Sequence, residues 1–209
     1  MAAQADVTPN RRGRRSREAV LDAAERVMAS DGFDAATVAR VVREAGVPMS
    51  SVYHYYGSKD GILLAVMERG AKRFFADLPD PEHRTGRSAE HLRTVVSSAL
   101  ETLQRHPSFL RLMVVFAVQP PSAADGEVRT VVGRVREMAL KRLRRQIGIA
   151  FGDDPSSSAT DRLARFALAA FDGAFVAWQA DPEIRLERTL EPLAPALVAA
   201  RGRKPNARS

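Results

Sequence analysis

The sequence predicts an all-α protein of about nine helices, with a small three-helix unit at the N-terminal end and a larger helical unit behind it. Apolar residues recur every three or four positions along most of the chain, which is the spacing of one helix face. Glycine and proline interrupt this pattern at intervals. No segment shows the alternation of apolar and polar residues that indicates a strand between hairpin turns.

The first predicted helix begins at Ser16, whose hydroxyl can cap it, and ends at Gly32, because glycine readily takes the left-handed conformation that closes a helix. Its apolar positions share one face: Val20, Ala23, Ala24 and Val27. Before it, residues 1–15 are expected to be a disordered basic arm, since five arginines lie between residues 11 and 17. Such an arm either reaches an adjacent minor groove of DNA or is a tail without a specific contact.

The second and third predicted helices are short and separated by a tight turn. Thr37 caps a helix that stops before Gly46, and Pro48 starts a third helix that runs from about Met49 to Tyr55. A short helix, a glycine turn and another short helix form the geometry that places one helix in the major groove of DNA. We therefore expect a helix-turn-helix domain over residues 16–60.

The fourth predicted helix starts at Lys59 behind the capping residue Ser58, and it ends before Pro79. The larger domain is expected to span 61–200, followed by a basic tail over 201–209. Its further predicted helices are 88–105, 108–118, 123–151, 156–180 and 186–200, with breaks at proline or glycine between them.

Composition argues against several classes of protein. The chain has no cysteine, and its longest bulky apolar run, Leu112 to Val118, is too short to span a bilayer, so we expect a cytoplasmic protein without a membrane partner. Phosphate-binding glycine loops, His-Glu-x-x-His and Gly-x-Ser-x-Gly are missing, and the histidines are scattered. We therefore expect neither an enzyme nor a metal or other cofactor, although an all-helical enzyme stays a minor alternative.

The segment from Thr37 to Leu63, TVARVVREAGVPMSSVYHYYGSKDGIL, resembles the TetR family of bacterial transcriptional regulators. Three motifs carry the resemblance: Ala45-Gly46-Val47, Val52-Tyr53-His54-Tyr55-Tyr56 and Ser58-Lys59-Asp60. It covers about residues 16 to 64, and beyond them only the number and length of the helices are similar. Pro48 departs from the family, which usually has a capping serine or threonine there.

This resemblance implies that the third helix is the recognition helix of a repressor that binds double-stranded operator DNA. The residues that it would present to the DNA are Met49, Ser50, Ser51, Tyr53 and His54. The residues that it would place at phosphates are Thr37, Tyr55 and Lys59. Hydroxyl and imidazole groups can reach base edges or phosphates, whereas Val52 should be buried. For Tyr53 the alternative is a packed aromatic ring with a solvated hydroxyl.

The resemblance also implies a homodimer through the last two long helices. The helix from about Ser156 to Ala180 carries two apolar stripes. The bulky stripe consists of Leu168, Phe171, Phe175 and Trp178, and the small one of Ala167, Ala170, Ala174 and Ala177. We expect the small stripe to face the partner subunit, because a smooth surface suits a closely packed neighbour. An ordinary monomer core is the alternative.

In this family the larger domain is a ligand-binding and dimerisation domain, joined to the helix-turn-helix through the fourth helix. The residues predicted to bind a small apolar or amphipathic effector are Phe109, Met113, Phe116, Phe171, Phe175 and Trp178. Asp172 could accept a cationic group of such a ligand. The effector would release the protein from a palindromic operator. An effector-independent DNA-binding protein and an activator remain open alternatives.

Overall fold

Helices are the only regular elements in the computed structural model, which describes residues 11–33, 35–84, 86–118 and 126–202. The all-α prediction is confirmed for these residues. The helices are α1 (Arg11–Asp31), α2 (Val38–Ala45), α3 (Met49–Tyr56), α4 (Lys59–Asp77), α5 (Ser88–Arg105), α6 (Pro107–Val118), α7 (Gly126–Phe151), α8 (Ser158–Ala180), α9 (Leu186–Leu190) and α10 (Leu193–Gly202). The first ten residues of the expected arm and the tail from 203 onward lie outside the described residues.

Two predicted boundaries are wrong. Helix α1 begins at Arg11, so Ser16 lies inside the helix and residues 11–15 are helical rather than a disordered arm. Arginine is a good helix former, and the single Gly13 costs only about 1 kcal/mol, which the packing of the rest of α1 can offset. The last predicted helix is divided into α9 and α10 at Pro192, because proline lacks the N–H that a continuous helix needs.

The N-terminal domain is held together by the apolar faces of α1, α2, α3 and the start of α4. Gly32 and Gly46 adopt φ angles of 82° and 63°, in the left-handed region that favours glycine, and each ends its helix as predicted. The buried side chains include Val20, Val27, Val41, Val52 and Ile62. This small core fixes α3 against α1 and α4.

Ion pairs fasten α1 to α4. The guanidinium of Arg69, on α4, donates to Glu18, Asp22 and Glu25 of α1 at 3.1, 2.7 and 2.9 Å. The side chain of Arg69 is only 10% exposed. Charge-assisted hydrogen bonds in such a sheltered position are stronger than those on an open surface. Helix α4 therefore cannot separate from α1 without breaking all three.

The larger domain packs α5–α10 around the second half of α4. Helix α7 runs beside α8, and three of its arginines form ion pairs with other elements: Arg136 with Asp172, Arg144 with Asp161 and Arg145 with Asp80. Arg142 donates to the carbonyl oxygens of Phe75 and Leu78 at 2.9 and 2.7 Å, which satisfies the C-terminal end of α4. The far end of α4 is thus anchored to α7.

Candidate DNA-binding surface and effector cavity

Side-chain caps set the geometry of the helix-turn-helix. The hydroxyl of Thr37 accepts a hydrogen bond from the backbone N–H of Arg40 at 3.2 Å and so starts α2, as predicted. Helix α3 follows after Gly46 and has Pro48 at its cap position, where no side-chain hydrogen bond forms. The backbone N–H of Ser51 instead donates to the Pro48 carbonyl at 3.0 Å.

Helix α3 has one buried and one exposed face. Val52 is buried, as expected, and the ring of Tyr53 is 50% exposed, so it is not the packed aromatic of the alternative interpretation. The predicted DNA-contacting residues that are also exposed are Thr37, Met49, Ser50 and His54. Ser51 is half-buried, and so are the predicted phosphate contacts Tyr55 and Lys59.

Lys59 lies at the first turn of α4, and a row of side chains leads from it into the larger domain. Its Nζ is 4.2 Å from the centre of the Phe33 ring, a cation–π distance. The Phe33 ring in turn meets the ring of Phe116 edge to face, with 5.6 Å between centroids. Sequence reasoning missed this role of Phe33. The only local signal was an apolar residue directly after the helix-ending Gly32.

A cavity of about 900 Å³ lies in the larger domain, bounded by α4–α8. This volume is within the range of pockets that hold small ligands, about 300–1,000 Å³. The predicted ligand residues on its wall are Phe109, Met113, Phe116, Phe171 and Phe175. Trp178 does not line it, contrary to the prediction. Its ring packs edge-on against Phe175 at 5.9 Å, so it lies one layer behind the wall.

Charged side chains line part of the otherwise apolar cavity. Three arginines, Arg129, Arg136 and Arg142, and one carboxylate, Asp172, contribute to the wall. Asp172 accepts a hydrogen bond from Arg136 at 2.8 Å. The carboxylate that could have received a cationic ligand therefore already has a cationic partner. The wall carries more positive than negative charge.

The small-residue stripe of α8 faces the interior, so the prediction that it faces a partner is wrong. Ala167 and Ala174 are buried within the subunit, because this stripe and the bulky one together form a single wide face towards the core. The outward face of α8 is also apolar: Phe166 is 49% and Val176 46% exposed. Ala169 and Gly173 lie between them and are exposed, and Gly173 and Val176 also line the cavity.

Two other kinds of site are not found in the described part of the chain. Its His, Asp and Glu side chains include no group of three or more placed to hold a metal ion. None of its helices is both long enough and apolar enough to cross a membrane.

A helix-turn-helix domain joined by one helix to a cavity-bearing helical domain defines a class of DNA-binding regulators. The profile of the family described as "Bacterial regulatory proteins, tetR family" matches residues 20–66. Residues 20–66 of this chain are therefore similar to the DNA-binding domain of that family of transcriptional regulators. The match coincides with the domain that carries α2, α3 and the start of α4.

Individual relatives extend the similarity beyond this domain. The HTH-type transcriptional regulator BetI of Brucella anthropi is 26% identical over 160 residues, which are 77% of this chain and 79% of that protein. The regulator FadR of Bacillus subtilis, solved in complex with stearoyl-CoA, superposes with a TM-score of 0.67 at 19% identity, over 88% of this chain and 98% of that one. SmeT, the repressor of the Stenotrophomonas maltophilia multidrug efflux pump SmeDEF, gives 0.65 at 22% identity, over 88% and 89%.

Proposed function

We propose that this protein is a homodimeric repressor that binds a palindromic operator through α3 and releases it when a small amphipathic effector enters the cavity. The observation that carries the proposal is the position of α4. Its first turn, at Lys59, borders the exposed face of α3, and Phe74 and Phe75 at its other end line the cavity. One continuous helix joins the two sites.

The DNA-binding surface in this proposal is the exposed face of α3 with its flanking turns. Ser50, Tyr53 and His54 would reach base edges, because their side chains are short or rigid and exposed on the same face. Thr37, Tyr55 and Lys59 would meet phosphates on either side of the groove, and Met49 and Ser51 would pack against the DNA. Such a regulator acts on the chromosome, so we place it in the bacterial cytoplasm.

Dimerisation would use the outward face of α8 together with α10, which packs beside it. Phe166 and Val176 provide bulk, Ala169 and Gly173 allow close approach, and α10 adds exposed small residues. An apolar helix face of this kind is costly to leave in water and suits a second copy of itself. A two-fold axis there would place the recognition helices about one DNA turn, roughly 34 Å, apart or a multiple of it.

The effector in this proposal has an apolar body and an acidic head. Aromatic and aliphatic side chains form most of the cavity wall, and arginines outnumber carboxylates on it. The similar regulator FadR was solved with stearoyl-CoA, which has an acyl chain and anionic phosphates, and this likeness favours the same ligand chemistry. A hundredfold loss of operator affinity requires about 2.7 kcal/mol of differential ligand binding between two conformations of the dimer.

The test begins with selection of a duplex from a random library, followed by fluorescence anisotropy with the selected site. Three probes, each with a ten-carbon chain, are then added: decanoate, decanol and decyltrimethylammonium. We expect an inverted repeat, and we expect decanoate to weaken its binding most. Failure to select any sequence would contradict the operator-binding proposal. If a probe changes Trp178 fluorescence and none changes the DNA affinity, the protein binds DNA independently of an effector.

A further inference from the structure

We infer that the first two turns of α1 form a second DNA-contacting surface, in which Arg14 and Arg15 bind phosphates beside the groove that α3 occupies. This inference rests on the proposed operator binding. It concerns a segment that the sequence had suggested to be a disordered arm and that is helical in the structure from Arg11 onward.

Two contacts fix this end of α1 beside α3. The guanidinium of Arg17 lies 5.0 Å above the centre of the Tyr55 ring, a cation–π distance. The hydroxyl of Tyr56 donates to the carbonyl oxygen of Arg17 at 3.0 Å. Both tyrosines belong to the last turn of α3, so the start of α1 extends past the end of the recognition helix.

Arg14 lies one turn before Arg17 on the same side of α1, since residues three positions apart share a helix face. Arg15 lies next to it, and both side chains are exposed. Arg14 precedes Arg17 by about 4.5 Å along the helix axis, at 1.5 Å per residue. Its side chain and that of Arg15 therefore lie on the part of α1 before the contacts with Tyr55 and Tyr56, and there we place the phosphates that border the groove filled by α3.

The charges along α1 are divided between two functions. Three acidic side chains of α1, those of Glu18, Asp22 and Glu25, are bound by Arg69 and Arg73 of α4. Among the described residues, by contrast, no carboxylate lies within ion-pair distance of Arg14 or Arg15. These acids of α1 therefore stabilise the fold, whereas Arg14 and Arg15 are available to bind an anion of another molecule.

The position of these cations at a helix N-terminus also points to an anionic partner. The N-terminal end of a helix carries partial positive charge, so arginines there repel it, and no acidic residue in the first turn compensates. Phosphates placed at this end would reverse the effect, because anions stabilise helix N-termini. DNA binding should therefore strengthen the helix over residues 11–17.

The experiment compares salt dependence on a random-sequence duplex, which requires no knowledge of the operator. We expect Arg14→Gln/Arg15→Gln to lower the slope of log K against log salt by about 0.9 for each phosphate that is no longer neutralised, hence about two per subunit. The matched control is Arg185→Gln/Arg188→Gln, which removes two exposed arginines from the start of α9. Arg14→Lys/Arg15→Lys should restore the slope of the unchanged protein.

Hydrogen exchange gives an independent measurement. Addition of the duplex should slow the exchange of backbone amides in residues 11–17 of the wild-type protein. The decrease in exchange rate should be smaller in Arg14→Gln/Arg15→Gln. Equal salt slopes for the unchanged protein and Arg14→Gln/Arg15→Gln, with no DNA-induced protection, would overturn the inference and leave the proposed role of α3 intact. Absence of any DNA binding by the unchanged protein would instead overturn the proposed function and this inference with it.

Discussion

The ring of Phe109 lies directly against the backbone of α4 at Gly70. A Cβ atom on this glycine would be 2.3 Å from Cδ2 of the ring, closer than two carbons can approach. Phe109 is fully buried, and it lines the cavity in the larger domain. Because residue 70 is a glycine, Phe109 in the cavity wall can contact the backbone of α4, the helix whose first turn borders α3.

Gly70→Ala should destabilise the protein. The methyl group improves the helix propensity by about 1 kcal/mol, but displacing a packed ring costs about 1–3 kcal/mol, so we expect a net loss of about 1 kcal/mol. Urea unfolding measures it. Gly133→Ala is the control, because an added Cβ there meets no atom within 4 Å, and it should be neutral or stabilising. Equal stabilisation by both changes would mean that the ring moves aside freely.

Substitutions of two neighbouring residues of α3 should have different effects, one on DNA recognition and the other on stability. Tyr53→Ala should abolish the preference for the selected duplex while it changes the free energy of unfolding by less than about 0.5 kcal/mol, as expected for an exposed side chain. Val52→Ala should cost about 2 kcal/mol of stability, since Val52 is buried. Anisotropy and urea unfolding measure the two effects. Retained preference in Tyr53→Ala would remove this residue from the interface.

Phe33→Leu should weaken the coupling between the cavity and the DNA. Leucine keeps the residue apolar but removes both the edge-to-face contact with Phe116 and the ring below Lys59. We expect the ratio of DNA dissociation constants with and without decanoate to fall towards one. Phe151→Leu, at the far end of α7, is the control with the same chemical change. If Phe33→Leu leaves this ratio of dissociation constants unchanged, Phe33 does not contribute to the coupling between the cavity and the DNA, and α4 alone carries it.

Ala169→Arg should prevent dimerisation, because it puts a charge in the middle of the outward face of α8. Light scattering at micromolar concentration should show a dimer for the unchanged protein and a monomer for the variant. Ser97→Arg adds the same charge to an exposed position of α5 and should leave the dimer intact. If the wild-type protein is a monomer, the proposed homodimer is wrong.

Acid should weaken the attachment of α10. The guanidinium of Arg201 donates to both carboxylate oxygens of Asp153, at 2.6 and 2.8 Å, and these hydrogen bonds lower the pKa of Asp153. Because the folded state favours the ionised form, its stabilisation is present above the unfolded pKa of about 3.9 and is lost as the pH falls through the lower folded value. Arg201→Gln should raise the pKa of Asp153, measured by NMR titration, and Arg188→Gln should not.

Local signals predicted the helix ends well, and long-range packing explains where prediction failed. Thr37 and Ser58 cap the helices that they were expected to cap, since a cap depends on residues three positions away. The inward face of α8 could not be chosen in advance, because both of its sides are apolar and only the packing of α7 and α10 distinguishes them. Ser16 was a valid local cap signal, yet residues before it could also form helix.

Part of the candidate site could also be predicted from the sequence. Residues three or four positions apart share one face of a helix, so Ser50, Tyr53 and His54 were expected on one side of α3, and all three are exposed there. The aromatic cavity wall was anticipated because large apolar residues cluster in α6 and α8. The contact between Phe33 and Phe116 was not, since it joins residues far apart in the chain and no pattern in either segment indicates the other.

Because Arg69 attaches α4 to α1, a rotation of α4 also moves α1. The 19 residues of α4 span about 28 Å, so a rotation of about five degrees around the end held by Arg142 moves the other end by roughly 2.5 Å. The ion pairs to Glu18, Asp22 and Glu25 carry α1 along, and with it the start of the DNA-binding domain. In the proposed mechanism, a displacement at the cavity too small to disturb its packing would become a movement of nearly the length of a hydrogen bond at the DNA phosphates.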